Sequence, residues 1–446
     1  MPYVPHTPED QAAMLRTIGA SRLEDLFADV PSEVLLESPL ELPPPRSEME
    51  VVAHFQGLAS RNASSQTHVC LLGGGVYDHY VPAVVPSLLS RAEFLTAYAP
   101  YQAEMSQGTL QTMFEYQTMV CRLLRMDIAN ASFYDGASAL AAAIVMAHRK
   151  EPSRRRVLLG HFLPSHERVI RTYLDGFPLD LEFPGLGARG LLEPATIGGE
   201  GLLAVAASCP NAVGAVPDMA ALSEAAHSRG AFFIASVDPL SLGILSAPGA
   251  YGADIAVGEA QALGIPMNFG GPLLGMMAAR EAFLRLLPGR IAGQAVDAEG
   301  RRGFVMTLQT REQHVRRERA TSNICSNQAL NALAACIYLA TLGKRGLTDV
   351  AEQCLHKANY LFRGIRAIEG FSAVFPGAPV FKEFAVRGPR PAAELVQRAL
   401  ARGILLGFPA AELTGDERDL VIAVTEERTR AELDRVLGFL REEAAR

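Results

Sequence analysis

The segments AFFIASVDP (residues 231–239) and GADIAVGEAQ (residues 252–261) decide the predicted fold. The first is a short apolar run that ends at Asp238, and the second is a similar run that leads to Gln261. Both lack the apolar–polar alternation of a half-exposed strand. They therefore predict two neighbouring strands that are buried on both faces, as in a parallel sheet covered by helices.

Similar runs and helical patterns alternate on either side of these segments. Further strands are predicted at residues 156–159, 202–207 and 273–277, and helices at residues 48–60, 106–125, 137–149, 166–174 and 219–229. This alternation predicts an α/β fold with a mostly parallel sheet. After residue 346 the pattern changes to long helices with two short strands, at residues 383–386 and 421–424. That part predicts a smaller C-terminal α+β domain.

The order of these patterns predicts three regions. Residues 1–46 form an N-terminal arm and linker, in which Thr7 begins a helix, Gly19 ends it and three prolines at 43–45 stiffen the linker. Residues 47–345 form the large domain. Residues 346–446 form the small one.

Composition limits the classes of function. The 446 residues carry a net charge of −7, which does not favour nucleic acid as a partner. No run of about 18 apolar residues predicts a membrane span, and the N-terminus resembles no leader peptide, so we expect a cytoplasmic protein. The six cysteines are scattered without metal-ligand spacing, so we expect no metal site.

Lysine is scarce, and its positions constrain the chemistry. The chain has only four lysines, Lys150, Lys344, Lys357 and Lys382. In aminotransferase-type folds, an aspartate at a strand end pairs with the pyridine nitrogen of pyridoxal phosphate (PLP), and the anchoring lysine follows the next strand. Asp238 fits the first position, but Gln261 occupies the second. A glutamine cannot form a Schiff base, so this chain is predicted to anchor no PLP.

A second feature agrees with this interpretation. Residues 130–138 lead into an alanine-rich helix, the place where such folds bind the cofactor phosphate. Here Asp135 lies in the first turn, where its carboxylate satisfies the same N–H groups and repels a phosphate. An ordinary aspartate cap predicts the same residue.

Several polar segments are candidates for a binding site. The loop before the second long helix carries Tyr98, Tyr101, Gln102, Ser106 and Gln107. Ser106 is predicted to cap that helix, and the alternative to a site is a capped helix with surface tyrosines. The three glycines at 73–75 predict a tight turn, beside which nearby tyrosines and His79 would line a site.

The segment after residue 310 offers two more candidates. Thr321, Ser322 and Asn323 either cap a helix or point into a shared cavity. Arg316, Arg317 and Arg319 lie in a charge run that forms a solvated helix face or a docking surface for an acidic partner.

The longest of these motifs together resemble one family, the P protein of the glycine cleavage system, in its split two-subunit form. The resemblance is carried by residues 73–80, 88–95, 98–108, 116–121, 130–138, 269–272, 300–304, 309–314 and 321–325. It implies the PLP-dependent transferase fold type I. It also implies a partner subunit that carries PLP and its lysine, in an α2β2 heterotetramer.

The resemblance further implies a reaction. The pair would decarboxylate glycine and pass the aminomethyl group to the lipoyl arm of the H protein. Shared-site candidates are Tyr98, Tyr101, Gln102, Ser106, Gln107, Thr321, Ser322 and Asn323. Two alternatives remain open from the residues: a structural or regulatory pseudoenzyme partner, and a stand-alone PLP lyase or aminotransferase.

Overall fold

The computed structural model describes residues 5–36, 38, 40–95, 100–268, 271–324 and 326–445. These form two compact units, residues 1–62 and 63–446. The predicted boundaries at residues 46 and 345 stay a prediction. No helix among the described residues is long and apolar enough to cross a membrane.

The first unit contains the predicted N-terminal helices α1 (Pro8–Ile18) and α2 (Glu48–Ala59). Thr7 begins α1, because its Oγ1 accepts a hydrogen bond of 3.2 Å from the Asp10 backbone N–H. Gly19 ends the helix in the left-handed region at φ 85°. Both predictions for α1 are therefore confirmed.

The second unit contains the remaining elements. Its helices are α3 (Val84–Leu89), α4 (Ala92–Leu95), α5 (Gln107–Leu124), α6 (Gly136–Lys150), α7 (Pro164–Leu174), α8 (Met219–His227), α9 (Gln313–Arg316), α10 (Ala329–Arg366), α11 (Ala392–Leu400), α12 (Ala411–Thr414) and α13 (Arg430–Ala444). Its strands are β1 (Val69–Cys70), β2 (Ile128–Ala129), β3 (Arg156–Gly160), β4 (Asp180–Glu182), β5 (Leu202–Cys209), β6 (Phe232–Val237), β7 (Ile255–Glu259), β8 (Gly275–Ala279), β9 (Ile291–Val296), β10 (Arg302–Thr307), β11 (Ser372–Ala373), β12 (Glu383–Arg387), β13 (Ile404–Leu405), β14 (Phe408–Pro409) and β15 (Asp419–Ala423).

The central sheet has seven strands in the order β2-β8-β7-β6-β5-β3-β4. The strands β4, β3, β5, β6 and β7 are parallel to one another, whereas β8 runs antiparallel to its two neighbours, β7 and β2. Phe233 packs into the apolar cluster on one face and Ile234 into the cluster on the other. This burial on both faces confirms the predicted mostly parallel sheet covered by helices.

The C-terminal part confirms the predicted α+β pattern. An antiparallel sheet in the order β11-β12-β15-β14 packs against α10, α11 and α13. Helix α10 is interrupted at Gly343, which has the non-helical angles φ 60° and ψ −170°. The β9–β10 hairpin and the pairing of β1 with β13 are not predicted by the sequence pattern.

Gly275 allows β8 to pass close to the start of α6. A Cβ atom at this position would lie 2.3 Å from the Asp135 carbonyl oxygen and 2.6 Å from the Phe133 Cβ. We therefore expect Gly275→Ala to lower the free energy of unfolding by about 2 kcal/mol, as overpacking does. Urea unfolding measures the loss.

Gly438→Ala is the matched control for this substitution. Gly438 lies in α13, and a Cβ atom there would have no neighbour within 4 Å. Alanine should be neutral or slightly stabilising at this position. Equal stabilities of Gly275→Ala and the unaltered chain would contradict the close packing at β8.

Candidate functional site

The site is built around Asp238, the acid that directly follows β6. Its Oδ1 accepts a hydrogen bond of 2.9 Å from the Leu240 backbone N–H. Its Oδ2 lies 2.5 Å from Nζ of Lys382, which is 1% exposed and directly precedes β12. The Lys382 ammonium also lies 3.4 Å from the ring centroid of Tyr77. A lysine thus reaches the predicted cofactor acid, but from the C-terminal part of the chain.

His79 extends this arrangement away from Asp238. Its Nε2 lies 3.0 Å from Lys382 Nζ, and its Nδ1 lies 2.6 Å from Glu426 Oε2. Burial, and then the neighbouring ammonium, lower the pKa of His79. A neutral imidazole with its proton on Nδ1 satisfies both contacts, donating to Glu426 and accepting from Lys382.

The Glu426 carboxylate ends the chain of contacts. Burial opposes its ionisation, but the hydrogen bonds from His79 and from the backbone N–H of Tyr80 outweigh burial and lower the pKa of Glu426. Among the described residues, His79, Cys354 and Glu426 are the one group whose ligand atoms lie close enough for a metal, within 4.8 Å. The Lys382 ammonium beside His79 would repel such a cation.

Gln261 uses its whole side chain to hold a loop. Its Oε1 accepts a hydrogen bond of 2.9 Å from the Tyr77 backbone N–H. Its Nε2 donates to the backbone carbonyls of Tyr77, at 3.1 Å, and Ile265, at 2.6 Å. The residue at the predicted lysine position therefore has a structural role, which fixes the glycine-rich loop over the site. That loop places Tyr77 and His79 beside Lys382.

Two carboxylates lie at the start of α6. The predicted cap forms, because Asp135 Oδ1 accepts a hydrogen bond of 2.8 Å from the Ser138 backbone N–H. Glu259 Oε2 accepts one of 2.9 Å from the Gly136 N–H, and its Oε1 accepts from Gln261 and Leu274, each at 3.0 Å. Burial raises the pKa of Glu259 to about 7.

Sequence reasoning missed Glu259. The signal was present, because an acid at the carboxyl end of a buried parallel strand points towards the edge where sites form. Its partner at the start of α6 lies more than a hundred residues away in the sequence. Only the folded sheet brings the two together.

The space left in this region is small. A cavity of about 70 Å³ is lined by residues that include Gly75, His166, Ser236, Asp238 and Glu383. A water molecule needs roughly 10–15 Å³ of such accessible space, so the cavity has room for several waters. PLP held as in aminotransferase-type enzymes does not fit these residues, since its phosphate would meet two carboxylates and its ring the Lys382 side chain.

The first candidate loop is largely exposed. Tyr98 lies outside the described residues, and Gln102 is exposed. Tyr101 is 70% exposed, with its hydroxyl 3.3 Å from Arg290 Nη2 and its ring 5.3 Å from the Arg290 guanidinium carbon. These positions leave the two described side chains available to a partner.

The predicted cap at Ser106 is wrong. Ser106 adopts φ −124° and ψ 26°, outside the extended conformation that a helix cap needs, and its side chain makes no cap hydrogen bond. Gln107 instead binds backbone groups: its Nε2 donates to Ala103 O at 2.7 Å and Phe304 O at 2.9 Å, and its Oε1 accepts from Phe304 N at 2.8 Å. Gln107 thus joins α5 to the β9–β10 hairpin.

The helix-cap interpretation of Thr321, Ser322 and Asn323 is also wrong, because α10 begins only at Ala329. The three residues lie in a loop, where Ser322 Oγ accepts a hydrogen bond of 3.2 Å from the Ile324 N–H. Thr321 and Ser322 are half-buried and Asn323 is exposed. The arginines of the charge run, Arg316, Arg317 and Arg319, are exposed as expected.

The two candidate loops attach to one segment before α6. Arg290, which contacts Tyr101, accepts a backbone hydrogen bond of 2.9 Å from Ala131. Asn327, which follows the second loop, donates to Ser132 Oγ at 2.9 Å. In the described ranges, no hydrogen bond or ion pair joins either loop to Lys382 or Asp238.

Glu259 gives the stability of the chain a predictable pH dependence. Because its pKa is raised from 4.5 to about 7, its contribution is complete below pH 4.5 and is lost as the pH rises through 7. The glutamine in Glu259→Gln cannot titrate. We therefore expect the unfolding free energy of this variant to fall less steeply between pH 4.5 and 7, by up to about 1.4 kcal/mol per pH unit. Urea unfolding at several pH values tests this, with exposed Glu224→Gln as control. Parallel pH profiles of all three chains would contradict it.

Solved structures of low identity share the fold. A glutamate decarboxylase from Lactobacillus brevis superposes with a TM-score of 0.69 at 12% identity, covering 94% of this chain and 97% of that one. An aspartate aminotransferase from Thermus thermophilus gives 0.58 at 17% identity, with 84% and 99% covered. The predicted PLP-dependent transferase fold type I is thereby confirmed.

Relatives of higher sequence identity identify the family within this fold. The profile of the glycine cleavage system P-protein matches residues 1–440. Proteins described as probable glycine dehydrogenase (decarboxylating) subunit 1 are similar along their whole length: the one from Chlorobium limicola is 49% identical over 97% of this chain and 98% of its own, and the one from Carboxydothermus hydrogenoformans 48% over 99% of each. A crystal structure of glycine decarboxylase (P-protein) in inhibitor-bound form has a TM-score of 0.91 at 44% identity, covering 99% of this chain and 100% of that one. This chain belongs to the glycine cleavage system P-protein family.

Proposed function

We propose that this chain is a subunit of glycine decarboxylase that completes the enzyme without binding PLP itself. The observation that carries the proposal is the pairing of Asp238 with Lys382, which occupies the acid that a cofactor ring would need. Gln261 at the anchoring position and the carboxylates of Asp135 and Glu259 support it. The description of the relatives as subunit 1 supports a second P-protein subunit.

The second subunit is proposed to carry PLP and its lysine in an α2β2 heterotetramer. PLP supplies the electron sink for loss of carbon dioxide from glycine. The aminomethyl group then passes to the lipoyl arm of the H protein. We propose that the loop with Tyr98, Tyr101 and Gln102, together with Thr321, Ser322 and Asn323, faces that shared site.

Exposed arginines suggest where the H protein docks. Arg316, Arg317 and Arg319 extend into solvent near the second candidate loop. Charges of this kind act mainly on the rate of association with an acidic partner. The role of this charged surface stays a prediction from the sequence.

A count of PLP per chain tests whether only the second subunit binds the cofactor. Co-expression with the second subunit should yield one PLP per pair of chains, whereas this chain purified alone should retain none after gel filtration. Glycine–bicarbonate exchange with lipoylated H protein should require both chains. PLP retained by this chain alone, or full exchange by the partner alone, would overturn the proposal.

Hydroxyl deletions test whether the loops take part. Tyr101→Phe and Ser322→Ala should each slow glycine decarboxylation by the reconstituted pair about tenfold, the effect of losing roughly 1.4 kcal/mol of transition-state stabilisation. Tyr360→Phe and Ser228→Ala remove hydroxyls from α10 and from the end of α8, and serve as matched controls. Unchanged turnover in both loop variants, with subunit association intact, would remove these loops from the mechanism.

A further inference from the structure

Lys382 crosses from the C-terminal sheet to the central sheet. Its backbone carbonyl accepts a hydrogen bond of 2.8 Å from Val424 N–H, and the next residue, Glu383, pairs with Ala423 in the antiparallel ladder. Its side chain ends 2.5 Å from Asp238, at the carboxyl end of β6. One buried side chain therefore links the four-stranded C-terminal sheet to the seven-stranded central sheet.

The backbone around Glu383 is shaped to admit this crossing. A Cβ atom on Gly73 would lie 2.1 Å from Glu383 Oε1, and one on Gly214 would lie 2.2 Å from the Glu383 carbonyl oxygen. The Glu383 carboxyl accepts hydrogen bonds from the Gly74 N–H at 2.7 Å and the Tyr77 hydroxyl at 2.8 Å. The glycines thus leave room for the start of β12, and one backbone N–H and one hydroxyl bind the Glu383 carboxyl there.

The groups that face the ammonium favour a cation. They are the Asp238 carboxylate, the lone pair of His79 Nε2 and the face of the Tyr77 ring. Behind them lie the carboxyls of Glu426 and Glu383. Removing one partner of a buried ion pair leaves an uncompensated charge, which is strongly destabilising.

We propose that this cluster is an alkylammonium-binding site, which the chain fills with its own Lys382 side chain. The ammonium pairs with Asp238, the acid that would otherwise pair with a cofactor ring. The same contact links the C-terminal sheet to the central sheet. The inference rests on the proposed function in supposing that no PLP competes for Asp238. Its distinctive consequence is that an emptied site should accept a free alkylammonium ion.

Chemical rescue of Lys382→Ala tests the site in the full-length chain. The substitution removes the equivalent of one n-propylammonium ion. It should lower the Tm, and n-propylammonium chloride should raise the Tm again with a saturable dependence on concentration. Propanol and sodium chloride should not do so. Neither the unaltered chain nor Asp238→Asn/Lys382→Ala should respond to the amine.

A double-mutant cycle keeps the test independent of whether Lys382→Ala folds. Asp238→Asn and Lys382→Met should each lower the Tm, and the chain with both changes should be more stable than either single variant. Additive losses, or an equal response to the amine without Asp238, would overturn the proposal. Neither readout uses PLP or glycine turnover, so failure here is distinguishable from failure of the decarboxylase assignment.

Discussion

The buried contact between Lys382 and Asp238 is the interaction on which the rest of the site depends. A carboxylate held at the end of a buried strand is stabilised by a partner of opposite charge, because it has little access to water. The ammonium supplies that charge, and the neighbouring groups complement it. His79 directs a lone pair towards Lys382, the face of the Tyr77 ring lies against the ammonium, and Glu426 accepts a hydrogen bond from His79 Nδ1. The neutral state of His79 follows, since a second cation beside the ammonium would be repelled.

The same logic applies at the opposite end of the site. The start of α6 presents N–H groups and the positive end of a helix dipole, and these must be satisfied whether or not a ligand is present. Asp135 and Glu259 satisfy them from within the chain. Gln261 then binds the loop that closes over the space between the two ends. Side chains of this chain therefore pair with the acid, cap the helix start and fill the anchoring position of a cofactor site.

The sequence predicted those parts of the structure that depend on local pattern. The buried strands, the amphipathic helices and the Thr7 and Gly19 signals of α1 all follow from residues close together in the chain. The cap at Ser106 failed because capping depends on backbone angles, which the preceding 3-10 turn sets. The β9–β10 hairpin was missed although its strands are adjacent, since exposed Val296 and Val305 blur its alternation.

The site was only half predictable for a different reason. Asp238, Gln261 and Asp135 could be placed because their roles follow from the ends of predicted elements. Lys382 could not, since it follows Asp238 by more than a hundred residues and lies just before a strand of another sheet. The absence of a lysine at position 261 does not predict which other lysine reaches Asp238. Burial and distance, rather than sequence spacing, identify the cation of this site.

The pairing also gives Asp238 a structural role in a chain that is proposed to bind no PLP. Once Lys382 is buried against Asp238, loss of either residue alone leaves the other as an unpaired buried charge. Only simultaneous replacement by neutral side chains of similar volume avoids that cost. Glycines at 73 and 214 add a further constraint, because they admit the strand start that carries Lys382 and Glu383. Asp238 therefore contributes to the stability of the fold itself, with no need for a cofactor to bind there.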